Sequence, residues 1–127
     1  MHKVFVSIGS NINPSNNIEK VKIILDDLFD CTYSSLFETA AEGFVGNKFI
    51  NCVVRFDTNL LLTELRMKCK QVEKEMGRTE DQKGMSDRII DLDIILYGDQ
   101  VIKDNDFDIP SKDIDNYLFV LEPLAEI

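Results

Sequence analysis

The sequence has one histidine, no tryptophan and three cysteines. Because His2 is the single imidazole, a histidine-ligated metal and an interior histidine base are both excluded, and a zinc site is disfavoured. Cys31, Cys52 and Cys69 are odd in number and form no C-x-x-C pair, which predicts buried, reduced thiols in a cytoplasmic protein. If a metal binds, the ligands that remain are carboxylates and other oxygens, which suit Mg²⁺.

Positive charge and long apolar runs are also scarce. The chain has 14 basic and 23 acidic residues, so the formal net charge is −9. This argues against nucleic acid or an anionic membrane as a partner, since both attract basic surfaces. The apolar run Val4–Ile8 is too short for a signal peptide or a spanning helix. We expect one domain over residues 1–127. A monomer is compatible with the sequence, which does not fix the oligomeric state.

What the chain does contain is an apolar stretch, D-R-I-I-D-L-D-I-I-L-Y-G, that runs from Asp87 to Gly98. Its branched residues predict a buried strand. Asp91 and Asp93 interrupt it, and alternation places both on one face, roughly 7 Å apart. Two such carboxylates need positive compensation. One or two divalent cations would supply it; the alternatives are an exposed sheet edge, or pairing with Arg78 and Arg88.

Hydrophobic periodicity predicts the order strand, helix, strand, strand, helix, strand. The expected segments are a strand at Val4–Ile8, a helix from Ser15 or Asn16 to Phe29, strands at Thr32–Thr39 and Phe49–Phe56, a helix capped by Thr58 or Asn59 and ended by Gly77, and the Asp91 strand. A short last helix would contain Leu118, Phe119, Leu121 and Leu124. This order predicts an α+β, ferredoxin-like fold, with helices packed on a mainly antiparallel four-stranded sheet.

The segment Arg78–Arg88 has no apolar period and a central glycine, which predicts a mobile loop of the kind that acts as a lid. Its two bounding arginines could clamp phosphate bidentately. On the preceding helix, Arg66, Lys70 and Lys74 follow at i+4 spacing. Such a stripe is usually a solvated face, but in an acidic chain it could also attract a polyphosphate.

Three further features allow two interpretations each. Asn51 lies inside a strand, where it is either exposed or an amide that recognises a heterocycle edge. Phe49 and Phe119, taken alone, are more typical of core packing than of ligand stacking. The turn Gly9-Ser10-Asn11 has a single glycine and lacks the G-x-G-x-x-G spacing, so we interpret it as structural rather than as a phosphate cradle.

Several motifs together resemble one family. They are V-F-V-S-I-G-S-N, F-E-T, F-I-N-C-V-V, V-E-K-E-M-G-R, the Asp91 stretch and F-V-L-E-P-L-A-E-I. In this order and spacing the chain resembles the 6-hydroxymethyl-7,8-dihydropterin pyrophosphokinases of folate biosynthesis over nearly its whole length. The resemblance implies an enzyme that transfers diphosphate from ATP to the hydroxymethyl group of the reduced pterin and releases AMP.

The resemblance also implies roles for individual residues. Asp91 and Asp93 would hold two Mg²⁺ ions. The pterin would be bound by Thr39, Ala41, Glu42, Phe49, Asn51 and Phe119, with the two phenylalanines sandwiching its ring. The ATP side would contain Lys70, Glu73, Arg78, Arg88 and Ser111. Arg78, Arg88, Asp91 and Asp93 would form the catalytic group, and the segment Arg78–Arg88 would close over both substrates.

The chain departs from the family pattern at four positions, all expected to be near ATP or the loop. Ser111 stands where many members have histidine, Tyr117 and Glu80 where they have arginine, and Met85 where they have tryptophan. These changes reduce the positive charge on the nucleotide side. The alternative function is therefore a module that binds a pterin or nucleotide with weak or no turnover; a purely structural interaction domain is a third possibility.

Overall fold

Strand β1, His2–Ser10, runs through the centre of the sheet and pairs antiparallel with a strand on each side. Its residues Val4, Val6 and Ile8 are at most 2% exposed, and branched side chains favour such a buried, pleated position. The computed structural model describes residues 1–41, 43–83, 86–104 and 107–127. The remaining elements are α1 Pro14–Leu28, β2 Thr32–Tyr33, β3 Phe37–Thr39, β4 Phe49–Thr58, α2 Leu62–Glu75, β5 Asp91–Tyr97, β6 Ile102–Lys103, β7 Asp108–Ile109, α3 Asp113–Asn116 and α4 Leu118–Glu126.

The main sheet is antiparallel, with the order β2-β4-β1-β5 and β3 also paired to β4. It has five strands and not the predicted four, because the segment Thr32–Thr39 forms two short strands separated at Ser34. The N–H of Ser34 donates to the carbonyl of Val53 at 2.8 Å, and its hydroxyl accepts the N–H of Val53 at 2.9 Å. A side-chain oxygen thus replaces a ladder carbonyl and ends the regular pairing. The class is α+β, as predicted.

The two faces of the sheet are covered differently. On one face α1 and α2 pack through residues such as Val21 and Leu65, both 0% exposed, and build the main core. Each aliphatic side chain buried in this way stabilises the fold by about 1.5–3 kcal/mol relative to exposure. On the other face Val120 of α4 packs against Val53 and Ile95. Ser7, Gly9, Asn51, Asp91 and Asp93 on that second face form the floor of a cavity.

A bulge in β5 sets which side chains reach this cavity. The pairing of β5 with β1 shifts by one residue and leaves Ile95 as an extra residue. Such a bulge bends a strand and re-aims its side chains. Here Asp91, Asp93 and Ile95 share the cavity face, while Tyr97 lies in the main core at 1% exposed.

Both long helices start differently from the predictions. Helix α1 begins at Pro14, a residue that suits the first helical position because its missing N–H would have no helical partner there. The cap residue Asn13 has a left-handed φ of 46° and makes no side-chain capping bond. The predicted caps of α2, Thr58 and Asn59, are not used, because β4 extends to Thr58. The carboxylate of Glu64 instead accepts the N–H of Leu61 at 2.9 Å.

Other predictions fare better. The short last helix is confirmed as α4. All three cysteines are free thiols; Cys52 and Cys69 are buried as predicted, whereas Cys31 is only partly buried. Burial raises the pKa of the Cys69 thiol to about 12. Within the described ranges, no helix is both long and apolar enough to cross a membrane.

Candidate active site

Strand β5 presents two carboxylates to the cavity face of the sheet. In the register of the sheet, Asp91 lies opposite Gly9 and Asp93 lies opposite Ser7 of β1. All four residues line a cavity of about 250 Å³. The two carboxylates therefore share one face, as alternation along the strand predicts.

Asp91 is compensated by two arginines. Its Oδ1 lies 2.7 Å from Nη1 of Arg78, and its Oδ2 lies 3.3 Å from Nη1 of Arg88. The alternative in which arginines balance the acidic pair therefore holds for Asp91. Arg88 also lines the cavity, so its guanidinium is within reach of a ligand there.

The end of α2 determines where Arg78 lies. Gly77 has a left-handed φ of 102°, and the N–H groups of Gly77 and Arg78 donate to the carbonyls of Lys74 and Glu73 at 3.0 and 3.1 Å. This cap turns the chain back on the helix. Nη1 of Arg78 then lies 2.7 Å from Oε2 of Glu73, an oxygen that also accepts the N–H of Leu92 at 2.8 Å.

Arg78 and Glu73 thus tie α2 to β5 and lie behind Asp91. Neither residue lines this cavity or the second cavity, which adjoins it. Burial raises the pKa of the Glu73 carboxyl, although the N–H of Leu92 and the charge of Arg78 oppose that rise. Arg78 and Arg88, expected to bind phosphate, both contact the Asp91 carboxylate here.

Asp93 differs from Asp91. Among the described residues it has no ion-pair partner, and its side chain is exposed within the cleft. Partial loss of hydration there, and then the neighbouring Asp91 carboxylate, raise the pKa of Asp93 well above its usual value. A bound cation would lower the pKa of Asp93, since it favours the ionised carboxylate.

A second cavity of about 260 Å³ adjoins the first, because Asp93 and Asp113 line both. The predicted ATP-side residues Lys70 and Ser111 line this second cavity. Its positive side chains are Arg66, Lys70 and Lys112. The guanidinium of Arg66 lies over the ring of Phe107, 3.9 Å from its centroid. Lys112 was missed in the sequence, where a lysine beside Ser111 carries no local signal.

Asn51 belongs to the first cavity and is 4% exposed, so its interpretation as an exposed strand residue is wrong. Its Nδ2 donates to Oγ1 of Thr39 at 2.9 Å. A Cβ built on Gly9 would lie 2.9 Å from Oδ1 of Asn51. Gly9 therefore leaves the space that this amide occupies. A lone glycine inside a branched strand was the signal that could have identified it.

Aromatic rings line the same cavity on two sides. Phe49 and Phe119, which the resemblance implies would sandwich a pterin, both contribute. Phe44 meets Phe49 edge-on, with ring centroids 6.3 Å apart, and Tyr117 stacks on Phe119 at 4.8 Å. Phe119 also packs against the Val53 cluster. Its core-packing interpretation is thus correct in part, and the same ring faces the cavity.

The remaining predicted residues are distributed as follows. Thr39 lines the first cavity, but the neighbouring lining residue is Ala40 and not the predicted Ala41. Glu42 and Met85 lie outside the described residues. Glu80 is exposed and lines neither cavity.

The oxygen ligands fit a metal that binds together with a phosphorylated ligand. Among the described residues, no group of three or more His, Cys, Asp or Glu side chains could hold a metal ion by itself. Asp91 and Asp93 offer two carboxylates on one strand face. Mg²⁺ is commonly bound by one or two carboxylates, with water and phosphate oxygens completing the octahedron.

Comparison with known proteins gives a consistent result. A family model described as 7,8-dihydro-6-hydroxymethylpterin-pyrophosphokinase matches residues 5–127. The chain is 35% identical over 130 residues to the 2-amino-4-hydroxy-6-hydroxymethyldihydropteridine pyrophosphokinase of Aquifex aeolicus, covering 100% of this chain and 81% of that relative. For the enzyme of the same name from Haemophilus influenzae, identity is 30% over 132 residues, with 100% and 82% covered. A folate synthesis bifunctional protein of Arabidopsis thaliana is 33% identical over 129 residues, 98% of this chain but 27% of that protein.

Proposed function

The chain belongs to the 7,8-dihydro-6-hydroxymethylpterin-pyrophosphokinase family, and we propose that it transfers diphosphate from ATP to the hydroxymethyl group of 6-hydroxymethyl-7,8-dihydropterin, releasing AMP. It is then a diphosphotransferase of folate biosynthesis whose substrates are small molecules. The observation that carries the assignment of the site is that Asp93 lines both cavities. A reaction between two substrates needs two adjoining pockets whose contents meet at one point.

The first cavity suits the pterin. Phe49 and Phe119 line it with aromatic rings, and a flat heterocycle gains from stacking on such rings. Asn51 carries an amide whose orientation is held by its 2.9 Å bond to Thr39. An amide offers both donors and acceptors, which match the mixed hydrogen-bonding edge of a pterin. The first cavity would thus orient the ring and its hydroxymethyl group.

The second cavity suits the nucleotide. Arg66, Lys70 and Lys112 bring positive side chains to one cavity in a chain whose net charge is −9. Asp93, Asp108 and Asp113 line the same cavity, so its formal charge is balanced; the three cations can bind phosphate oxygens, while the carboxylates suit a polyphosphate that carries Mg²⁺. Ser111 adds a hydroxyl. These groups would hold the phosphate chain, with its transferred portion toward Asp93.

Asp91 and Asp93 would hold two Mg²⁺ ions together with the phosphate oxygens. When bound, Mg²⁺ neutralises phosphate charge and orients the reacting oxygens. Arg78 and Glu73 fix Asp91 from behind through bonds of 2.7 Å. Arg88, which lies 3.3 Å from Asp91 and lines the first cavity, can turn its guanidinium toward the phosphates.

In the transfer, the hydroxymethyl oxygen bonds to the β-phosphorus of ATP. The bond from that phosphorus to the oxygen shared with the α-phosphate breaks, so AMP leaves, and the hydroxyl proton passes to solvent. Positioning of the two reactants supplies most of the acceleration in such chemistry. Closure of the segment Arg78–Arg88 over both substrates would exclude water.

Release of AMP tests this function directly. The protein is incubated with ATP, Mg²⁺ and the hydroxymethyldihydropterin, and Asp93→Asn is compared with Asp99→Asn. Asp99 is exposed in the turn after β5, so its variant serves as the matched control. We expect Asp93→Asn to lower the rate by roughly 100-fold or more, about 2.7 kcal/mol of transition-state stabilisation. Equal rates in the two variants would contradict the metal assignment.

Two observations favour the second candidate, a pterin- or nucleotide-binding module with weak or no turnover. Asp91 is already engaged by two arginines, and Tyr117, where many family members have arginine, stacks on Phe119. This module predicts pterin binding in a calorimeter without AMP above background. Steady AMP release by the wild-type protein that falls roughly 100-fold in Asp93→Asn excludes it.

Three finer assignments complete the proposal. The order of the sheet, with β1 central and two helices on one face, supports a ferredoxin-like fold for residues 1–127 as one pyrophosphokinase-like domain. The free cysteines support a cytoplasmic location. For the oligomeric state we propose a monomer, which light scattering would test.

A further inference from the structure

Asn11, immediately after β1, is a buried polar residue that contacts two separate loops. Its side chain is 0% exposed. Oδ1 accepts the N–H of Arg88 at 2.8 Å, and the N–H of Asn11 donates to the carbonyl of Arg88 at 3.2 Å. Nδ2 donates to Oδ1 of Asp87 at 2.7 Å and to the carbonyl of Asn47 at 3.2 Å. One side chain therefore bonds two loops at once, the loop that contains Asn47 and the loop that contains Asp87 and Arg88.

Each of these segments supplies lining residues to the first cavity. The segment 40–48 contributes Ala40 and Phe44 and leads into Phe49. The segment 79–90 contributes Arg88. Through their described residues, neither segment contains a helix or a strand. Their positions consequently depend on contacts such as those of Asn11.

The two segments also touch each other beside Asn11. A Cβ built on Gly46 would lie 2.6 Å from Oδ1 of Asp87, the same oxygen that accepts the bond from Asn11. This close approach leaves no room for a side chain at position 46. A shift of either segment would therefore move the other or break the bonds to Asn11.

We propose that Asn11 is a positioning residue that couples the two segments, so that the pterin-side wall and Arg88 are set together. The inference rests on the proposed function for its kinetic consequences. An amide is needed because it donates and accepts at the same time, and here it does both within one buried site. The backbone of Arg88 is held at both its N–H and its carbonyl, which directs the guanidinium to Asp91 at 3.3 Å.

Exchange of the paired side chains separates this role from a merely structural one. Asn11→Asp keeps an acceptor for the N–H of Arg88 but places a carboxylate against Asp87. Combining it with Asp87→Asn restores an amide-to-carboxylate bond with the donor reversed. The matched control is Asn17→Asp, because Asn17 is also buried, at 8% exposed, and donates to the carbonyl of Ile12 at 2.6 Å without touching either segment.

We expect Asn11→Asp to lower kcat for AMP release by roughly 100-fold, since small displacements of a catalytic group have effects of that size. The pterin KM should rise as well. In the exchanged pair, kcat should be at least roughly tenfold higher than in Asn11→Asp. Asn17→Asp should leave kcat and KM near wild type even if it lowers the melting temperature as much as Asn11→Asp does. A kcat for Asn11→Asp equal to that of Asn17→Asp, or no recovery in a folded exchanged pair, overturns the proposal.

Amide hydrogen exchange provides a readout that does not depend on activity. In Asn11→Asp, exchange should accelerate together in residues 43–48 and 86–90. In the exchanged pair it should slow again in residues 86–90, whereas residues 43–48 should stay faster than in the wild type, because a carboxylate at position 11 cannot donate to the carbonyl of Asn47. Acceleration in only one segment of the single variant contradicts coupling. If the wild-type protein released no AMP, the proposed function would fail, while this measurement would still decide whether Asn11 joins the two segments.

Discussion

The two cavities that meet at Asp93 are built in opposite ways. Residues on the floor of the first cavity are held by close neighbours: Asn51 by Thr39 and by the space over Gly9, and Asp91 by two arginines. The second cavity takes its positive charge from Lys70 and Lys112, both exposed, and from the half-buried Arg66. The floor of the first is thus preorganised by the sheet, whereas the second depends on exposed side chains.

This difference separates two kinds of recognition. A rigid, partly aromatic cavity selects a ligand by shape and by fixed hydrogen bonds. Exposed lysines select mainly by charge, and their interactions are screened by salt. Changes around the first cavity should therefore affect stability and geometry, and changes in the second should affect anion affinity alone.

The largest effect is expected where the support of the first cavity is removed. Arg78→Met leaves Glu73, whose side chain is 7% exposed, and Asp91 without their shared partner. Breaking a buried ion pair on one side costs about 3 kcal/mol. We expect that loss in the free energy of unfolding, measured with urea at neutral pH.

Lys48→Met is the matched control. Lys48 pairs with Glu38 at 3.3 Å, but the two side chains are 70% and 61% exposed, and such surface pairs contribute little. If the free energy of unfolding fell by the same small amount in both variants, the buried ion pairs that join α2 to β5 would not support the first cavity. The two cavities would then not differ in how firmly their residues are held.

A smaller effect, confined to the first cavity, is expected from Gly9→Ala. The new Cβ would meet Oδ1 of Asn51 at 2.9 Å, so the amide must shift from its bond to Thr39. We expect pterin affinity, measured by calorimetry, to fall roughly tenfold, about 1.4 kcal/mol. ATP affinity should stay unchanged.

Gly98→Ala controls for the loss of a glycine as such. Gly98 has a φ of +52°, and among the described residues only His2 Nδ1 is near its Cβ position, at 3.6 Å. The positive φ makes alanine unfavourable there by about 1 kcal/mol, so stability falls, but the position is outside both cavities. Equal pterin affinity in the two variants would argue against a preorganised Asn51.

The sequence predicted the first cavity better than the second for a physical reason. Asp91 and Asp93 lie on one strand, where a period of two residues fixes the face on which each side chain lies. For Asn51 the strand pattern left two interpretations open, and only the family resemblance favoured the ligand side. A hydrophobic pattern also defines the opposite, buried face. The fold class, the central strands and the helix end at Gly77 follow from such local rules.

The parts that local rules missed depend on contacts distant in sequence. Ser34 divides a predicted strand because its hydroxyl bonds Val53, and the role of Gly9 becomes visible only beside Asn51. The family resemblance grouped Glu73 with Arg78 on the ATP side, but the bond between them, formed through the turn at Gly77, was not predicted. Lys112 reaches the second cavity from a short segment between β7 and α3, where no periodicity exists.

The smallest effect tests the second cavity. Lys112→Gln removes one exposed positive charge from its lining, and a single exposed charge contributes about 1 kcal/mol or less. We expect ATP affinity to fall roughly fivefold at low salt and by less at high salt, because screening already weakens the contact. Lys103→Gln, an exposed lysine on β6 that lines neither cavity, should change ATP affinity much less. A salt-independent loss for Lys112→Gln, or a loss of pterin affinity alone, would mean that Lys112 acts through structure and that the two cavities differ less than their linings indicate.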